Sequence, residues 1–503
     1  MNMTQPAVPV QREKLQQAFT ALQSFLQDAR AHNLPLHEVE QHLWRQVLSL
    51  GRQALTVLLV SYGSGDHGPT VTLPDGQTFQ RLDDLHTRRY VSIFGEFQLE
   101  RTVYGTREGQ AIAFVPLDNQ LQLPESDFSY VLQDWAGALG VEEAFAQVSV
   151  TLERILDLPL SVDSLERLNR QMAEYVAQFR QEQPLPPPAQ AGEIVVTSSD
   201  GKGVVMRKEA GSAPAPARRG KGEKANQKRM ATVGAIYTID RYVRTPEQVV
   251  EALFREPRES VLPARPKPQF KQVWASMPGR EESWSDSLAR VYEEMRGELQ
   301  RRNPGQLRET VHLCDGQEAL WQARRDYLPE TNMVEILDLM HASERVWTVA
   351  HAFYREGSPE ATAFARAGIL KLLQGGVESL VRSWRYRLKK EKMSAAKVKR
   401  VKQCCRYLLK NRQRLRYDEY VAKGYPIASG VIEGACRHLV KDRMERSGMH
   451  WTLEGAQAML EVRSVWVNWT WGPYQAYRIE QEVERLYPYH ELVVNEPCFT
   501  MAS

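Results

Sequence analysis

Two stretches far apart in the chain share one construction. In EIVVTSSDG, Glu193 to Gly201, and in ETVHLCDG, Glu309 to Gly316, a run of apolar and β-branched residues ends on an aspartate followed at once by glycine. Short apolar runs bounded by such a signal read as buried strands. Burial penalises a charged carboxylate, so an acid at the lip of a buried strand either caps a turn or faces something positive. Taken singly, Asp200 and Asp315 are ordinary turn residues. Taken as a pair they constrain the fold. Matching strands laid side by side bring the two carboxylates together, and their repulsion calls for a cation between them.

The surrounding order is specific. EIVVTSSD is a strand ending on Asp200, VVM is expected to continue as a second strand after a Gly-Lys-Gly turn, and ATVGAIYTID, Ala231 to Asp240, reads as a third. The stretch SWSDSLARVYEEMRGELQRR is helical, ETVHLCDG is the fourth strand, and NMVEILDLMH, Asn332 to His341, is the fifth, with helices after it. Three antiparallel strands, a helix, a strand, a helix and a strand is the order of the RNase H fold, a mixed sheet in which the first and fourth strands are neighbours.

A third acid is expected from a later helix. In ASGVIEGACRHLVKDRMERSGMHW, Ser429 can cap a helix that holds Glu433 in its first turns, with Ile432, Cys436, Leu439 and Val440 facing inward. Glu433, Arg437 and Lys441 then follow at i, i+4 and i+8, giving one stripe with a metal ligand and two phosphate-seeking cations. Lys202, two residues beyond Asp200, is a further candidate for gripping phosphate. Asp338 and His341 could approach the site, but His341 reads as a packed or hydrogen-bonded histidine, and His312 and Cys314 read as structural parts of the fourth strand. Cys436, His438 and His450 lack zinc-finger spacing.

Charge is unevenly distributed. The net charge is only +3, yet between Arg382 and Arg416 fifteen Lys or Arg face a single acid, Glu391. Leu388, Val398, Val401, Cys405, Leu408 and Leu409 recur there at near-helical spacing, so the run reads as basic helices with one packed face. Like charges at helical spacing repel, and a polyanion is the usual compensation. Arg385, Arg387, Lys389, Lys390, Lys399 and Arg400 are the candidate DNA contacts, and Trp384, Tyr386 and Tyr407 are either core or stacking residues. A second basic run, Arg207 to Arg229, has eight basic residues against two acids and the Ala, Pro and Gly content of a loop.

The expected organisation is α+β and multidomain: a mixed sheet flanked by helices, with a helical insertion, preceded by mainly helical regions and a small β unit. Residues 1–68 form a helical hairpin suited to a dimer contact, and 69–125 a small β-rich unit. Residues 126–183 are helical, with a candidate helix-turn-helix: one helix to about Leu156, a turn over Asp157 to Leu160, and a second helix capped by Ser161 or Asp163 that offers Arg167, Asn169 and Arg170 outward. A plain helical hairpin fits those residues equally well. Residues 184–192 are a proline-rich linker, 193–341 the first part of the core, 342–420 the basic helical insertion, 421–470 the final core helices, and 471–503 a C-terminal segment.

Composition excludes other classes. A hydrophobic fraction of 42% with 25% charged residues is that of a globular protein, and no run reaches the roughly 18 apolar residues of a membrane span. The opening MNMTQPAVPVQREK lacks the order of a secretory signal, so a cytoplasmic location is expected. Five scattered cysteines with no CxxC pair fit a reducing compartment and offer no thiolate zinc site.

The DGKGV, CDGQEALW and SGVIEGACRHLVKDRMERSGMHW segments resemble the three catalytic blocks of DDE transposases, most closely those of the ISKra-type insertion sequences. The likeness covers most of the chain, including the N-terminal helices and YGTREGQAIAFVPLD. It implies cutting and joining of double-stranded DNA at element terminal inverted repeats and at a target. Asp200, Asp315 and Glu433 would be the triad and metal ligands, Mg2+ or Mn2+ the cofactor, and a homodimer or larger assembly the working form. Where relatives often carry a CxxC knuckle, Arg101-Thr102-Val103-Tyr104 is followed by no cysteine pair, which leaves no thiolates for a zinc ribbon. Two other classes use the same features: a structure-selective nuclease on the same fold, and a DNA-binding protein that has lost catalysis.

Overall fold

Along the chain the spacing of apolar residues changes from helical to alternating and back twice, and the computed structural model follows those changes. It describes residues 8–106, 112–207, 228–256, 263–328, 332–446 and 448–489. Two units are defined by their internal contacts, residues 1–175 with 472–503, and residues 176–471.

The first unit opens with α1 (Val8–Ala31) and α2 (Leu36–Ser61), whose apolar residues meet along the hairpin, Phe25 stacking on His42 at 4.2 Å between ring centroids. The small β region follows as β1 (Thr70–Thr72), β2 (Thr78–Arg81), β3 (His86–Ser92), β4 (Gly95–Arg101) and β5 (Tyr104–Gly105). β1, β2 and β5 make one sheet and β3–β4 a separate hairpin. Helix α3 (Pro116–Leu121) places Asp118 against Arg88, at 2.8 Å, and Arg101, pairing the buried charges. Next come α4 (Tyr130–Gly140), α5 (Phe145–Leu156) and α6 (Val162–Ala173). Helix α5 stops at Leu156 because Asp157 turns left-handed (φ 56°), and the Ser161 hydroxyl caps α6 by accepting the Ser164 N–H. Arg167 is exposed as expected on the second helix, but Asn169 is buried.

The second unit begins with α7 (Val176–Glu182), so the boundary precedes the proline-rich segment. That segment is tied down rather than hanging free: it forms a short 3-10 turn over Pro188–Gln190, Arg308 donates to the Pro188 carbonyl at 2.8 Å, and the Gly192 N–H donates to Thr238 Oγ1 at 3.1 Å.

The central sheet contains β6 (Ile194–Val205), β7 (Lys228–Ile239), β8 (Gln269–Ser276), β9 (Glu309–Cys314) and β10 (Val334–Leu337), in the order β10-β9-β6-β7-β8. β7 runs antiparallel to both of its neighbours, β6 and β8, whereas β6, β9 and β10 run parallel, so the first and fourth strands are neighbours as expected. Two details correct the sequence reading. There is no turn at Gly-Lys-Gly: β6 runs straight through it, with Gly201 opposite Thr232 and Gly203 opposite Met230. The glycine at 201 answers a lack of room, since a Cβ there would stand 2.9 Å from Met230 Cε and 3.0 Å from Trp284 Cζ2. The third strand is therefore not Ala231–Asp240, which lies in the second, but Gln269–Ser276, reached through α8 (Pro246–Phe254).

Helix α9 (Trp284–Arg302) covers the sheet, and α10 (Glu318–Tyr327) links β9 to β10. The fifth strand is shorter than expected because Asp338 caps α11 (Leu339–Phe353), accepting the His341 N–H at 2.8 Å. Helices α12 (Pro359–Leu373), α13 (Val377–Lys390), α14 (Ala395–Lys410) and α15 (Tyr417–Ala422) then form the insertion. They share one continuous core with the sheet, through Val346, Leu372, Trp384, Val401, Cys405 and Leu408. The chain returns through α16 (Gly430–Ala435), a π-helical turn over Cys436–Lys441, α17 (Asp442–Met444) and α18 (Leu453–Val467). The last helix, α19 (Trp471–Leu486), packs in the first unit, where Arg478 donates to Gln133 Oε1 at 2.9 Å.

Candidate metal centre and nucleic-acid interface

Sheet register puts three aspartates level. β6 pairs in parallel with β9, Thr197 opposite His312, and β9 pairs in parallel with β10, Cys314 opposite Leu337. Continuing those registers sets Asp200, Asp315 and Asp338 side by side just past the last paired residues. Parallel strands carry such residues to one edge without any bend of the chain.

Each acid is held by its own local bonds. Asp200 Oδ1 accepts the Gly201 N–H at 2.7 Å and Oδ2 accepts the Cys436 thiol at 3.4 Å. Burial raises the Asp200 pKa above the ordinary carboxylate value, and the Asp315 charge adds to the rise, while the Gly201 and Cys436 donors and His341 oppose it. Asp315 Oδ1 accepts the Gln317 N–H at 2.8 Å, turning the chain into α10. Gly316 lies against the Tyr407 ring so closely that no side chain fits, and Arg345 holds that ring from its face at 4.6 Å. Burial pushes the Tyr407 hydroxyl up to about 12, so it stays protonated beside the acids.

Asp338 is fully buried. Its Oδ1 accepts from the His341 backbone at 2.8 Å and lies 3.1 Å from His341 Nδ1, and its Oδ2 accepts the Ser429 N–H at 2.5 Å. That last bond closes the chain on itself after the whole helical insertion. Burial works to raise the Asp338 pKa, but the His341 and Ser429 donors outweigh it and hold it low. The Asp338 carboxylate in turn raises His341 to about 9.

Glu433 stands in the first turn of α16 and projects outward, with Ser429 Oγ 3.4 Å from its Oε1. Ligand atoms of Glu433, Asp338 and His341 all lie within 4.8 Å of one another, close enough to share a cation. Thus Asp338 and His341, set aside in the sequence reading, belong to the cluster. The signal was present in D-L-M-H: an aspartate at a strand end can cap the helix that follows through the N–H three residues on, and here that residue is a histidine.

The expected stripe of Glu433, Arg437 and Lys441 is broken. The backbone winds as a π-helix from Cys436 to Lys441, so spacings of four no longer repeat one face. Buried Arg463 donates to the carbonyls of His438 and Leu439, each at 3.1 Å from Nε, and holds the wide turn. Arg437 instead lies 3.6 Å from Asp442 and is largely exposed. Lys202 and Lys228 converge on Glu445, at 4.0 and 2.9 Å. Burial works to raise Glu445, but these lysines, with Lys441 near them, outweigh it and lower its pKa.

On the insertion, Arg385, Lys389, Lys390, Lys399 and Arg400 are all exposed. Arg387 is not a free cation. Its guanidinium lies over the rings of Phe353, Tyr354 and Phe364, at 4.4, 4.8 and 5.4 Å, and pairs with Glu391. Trp384 is core, whereas Tyr386 is exposed.

Asp200 and Asp315 do not belong to the Asp338, His341 and Glu433 group, but Asp200 is both buried and beside the like charge of Asp315, a setting in which a divalent cation relieves the repulsion. No helix among the described residues is long and apolar enough to cross a membrane.

No protein-family model matches the chain, and no curated protein matches it. Among solved structures it is similar to the Drosophila P element transposase strand transfer complex, at 10% identity and a TM-score of 0.25, over 70% of this chain and 83% of that one. A likeness at that TM-score transfers neither residues nor activity.

Proposed function

We propose that the chain is a DDE-type transposase with an RNase H-like core, of the ISKra-type family that its three blocks resemble. It would bind the terminal repeats of an insertion sequence, cut them and join them to target DNA. The single observation that supports this best is the level placement of Asp200 and Asp315 on adjacent parallel strands, with Glu433 within reach of the next acid along the edge.

In this reading Asp200, Asp315 and Glu433 hold Mg2+ or Mn2+. Bound ions would supply activation of the attacking oxygen and stabilisation of the leaving one at a phosphodiester. The chain's own part is to fix the three carboxylates, to keep the Tyr407 hydroxyl and Cys436 thiol protonated beside them, and to grip flanking phosphates. Lys202, Lys441 and Arg437 would take that last task, with Glu445 holding Lys202 and Lys228 until phosphate arrives. The exposed cations of α13 and α14 would follow the DNA backbone, which gives affinity without sequence information. Recognition of the element ends falls to α5 and α6 with the small β region, and pairing of two ends to a homodimer or larger assembly.

The test is incubation of the full chain with pre-cut element ends and a plasmid in Mg2+ or Mn2+. Joined products are expected, and Asp315→Ala or Glu433→Ala should abolish cleavage while leaving end binding nearly unchanged at fixed salt. A nuclease on the same scaffold would give cut ends but no joined products. Full function after Asp200→Asn would mean that the acids are not catalytic.

A further inference from the structure

We propose that His341 is a direct nitrogen ligand of the metal centre, oriented by Asp338, and that the centre therefore favours Mn2+ over Mg2+. This rests on the reading of the site as a divalent-metal centre.

Asp338 and His341 have the geometry of a carboxylate that orients a metal-bound imidazole. A metal-ligating histidine generally donates its other ring N–H to a carboxylate or carbonyl, which fixes both tautomer and ring direction. Here Nδ1 faces Asp338 Oδ1 at 3.1 Å, and an ionised carboxylate can only accept, so a hydrogen sits on Nδ1 and Nε2 is the nitrogen that a metal would take in place of a proton. Asp338 is a poor ligand itself. It is fully buried, and its oxygens already accept from the backbones of His341 and Ser429. The imidazole is half-buried and Glu433 is exposed, so the two face an accessible space, with their ligand atoms no more than 4.8 Å apart.

Two elements fix this arrangement independently. Asp338 caps α11 and thereby sets the ring, while its bond to the Ser429 N–H fixes the start of α16 and so the position of Glu433. One buried carboxylate thus aligns both proposed ligands. An imidazole nitrogen is a softer donor than carboxylate oxygen and suits transition metals better than Mg2+, which prefers an all-oxygen shell.

The experiment titrates Mn2+ and Mg2+ into the full chain and records pulsed paramagnetic resonance of bound Mn2+, for wild type, His341→Ala, His341→Gln and Asp338→Asn. Circular dichroism checks that each is folded. Expected is a 14N imidazole coupling in the wild type that disappears in both His341 variants. Mn2+ affinity should fall in those variants by more than the about 10- to 100-fold expected for loss of the orienting partner alone, with Mg2+ affinity changing less. Asp338→Asn should weaken Mn2+ while the coupling persists. If it fails to fold, the two His341 variants still decide the matter. Mn2+ bound with no 14N coupling, or with a coupling that survives in His341→Ala, overturns the ligand assignment and leaves the carboxylate centre standing. Failure of the wild type to bind either ion, with Asp315→Asn and Glu433→Gln indistinguishable from it, overturns both.

Discussion

The Cys436 thiol donates to Asp200 Oδ2 across 3.4 Å, joining a helix to a strand 236 positions earlier in the chain. Burial, followed by the Asp200 charge, pushes this thiol far above its ordinary value, so it remains a neutral donor throughout the physiological range. Cys314, Cys404 and Cys405 are buried and raised in the same sense. Native protein treated with a maleimide at pH 7.5 should leave all four unlabelled by mass spectrometry, since only an accessible thiolate reacts. Cys436→Ala, which leaves a buried carboxylate short of a donor, should cost about 1–3 kcal/mol in urea unfolding.

Repulsion between Asp200 and Asp315 is present whenever no cation lies between them. Asp315→Asn removes one of the two charges, so the melting temperature of metal-free protein should rise, while added Mn2+ or Mg2+ should stabilise the variant less than the wild type. A lower melting temperature in the absence of metal would show that the two carboxylates do not oppose one another.

His312 gives an acid-side prediction. Burial, helped by Arg324 and Arg414, lowers it from 6.5 to about 3. The unfolded chain takes up a proton below pH 6.5 and the folded chain does not until about 3. Stability from this residue is therefore complete above pH 6.5 and falls as the pH drops, by up to about 1.4 kcal/mol per unit across that window. Urea midpoints at pH 7.0 and 5.0 should differ more for wild type than for His312→Asn.

Salt dependence should separate the basic residues. Lys389, Lys390, Lys399 and Arg400 are exposed, and each one changed to Gln should reduce the slope of log K against log salt by about 0.9 if it contacts a phosphate. Arg387→Gln should behave differently. It loses three ring contacts and an ion pair, so its effect should appear as about 1–2 kcal/mol of lost stability with little change in slope.

The two strands carrying Asp-Gly and their pairing were legible because apolar runs ending on an acid are local patterns, whereas Gln269–Ser276 was not read as a strand. Three things were not. Gly201 and Gly203 look like a turn in the sequence, but their role is set by Met230, Trp284 and Lys228, which come from elsewhere in the chain. The π-helical turn is invisible to a spacing count because it depends on Arg463, more than 20 residues downstream, taking up the carbonyls it frees. Arg387 counts as one more cation in a basic run, and only the aromatic rings of two other helices remove it from the surface. By contrast, the cap at Ser161 and the end of α5 at Leu156 were readable because capping is decided within a few residues.

The Asp338–Ser429 hydrogen bond spans 91 positions and the Asp200–Cys436 bond 236. Contacts between such remote partners form only after the intervening chain has been ordered, because the entropy of closing the loop must be met first. The centre thus depends on the ordering of nearly the whole second unit. A partly folded chain carries the same acids without holding them together, so the cluster exists only in the finished molecule.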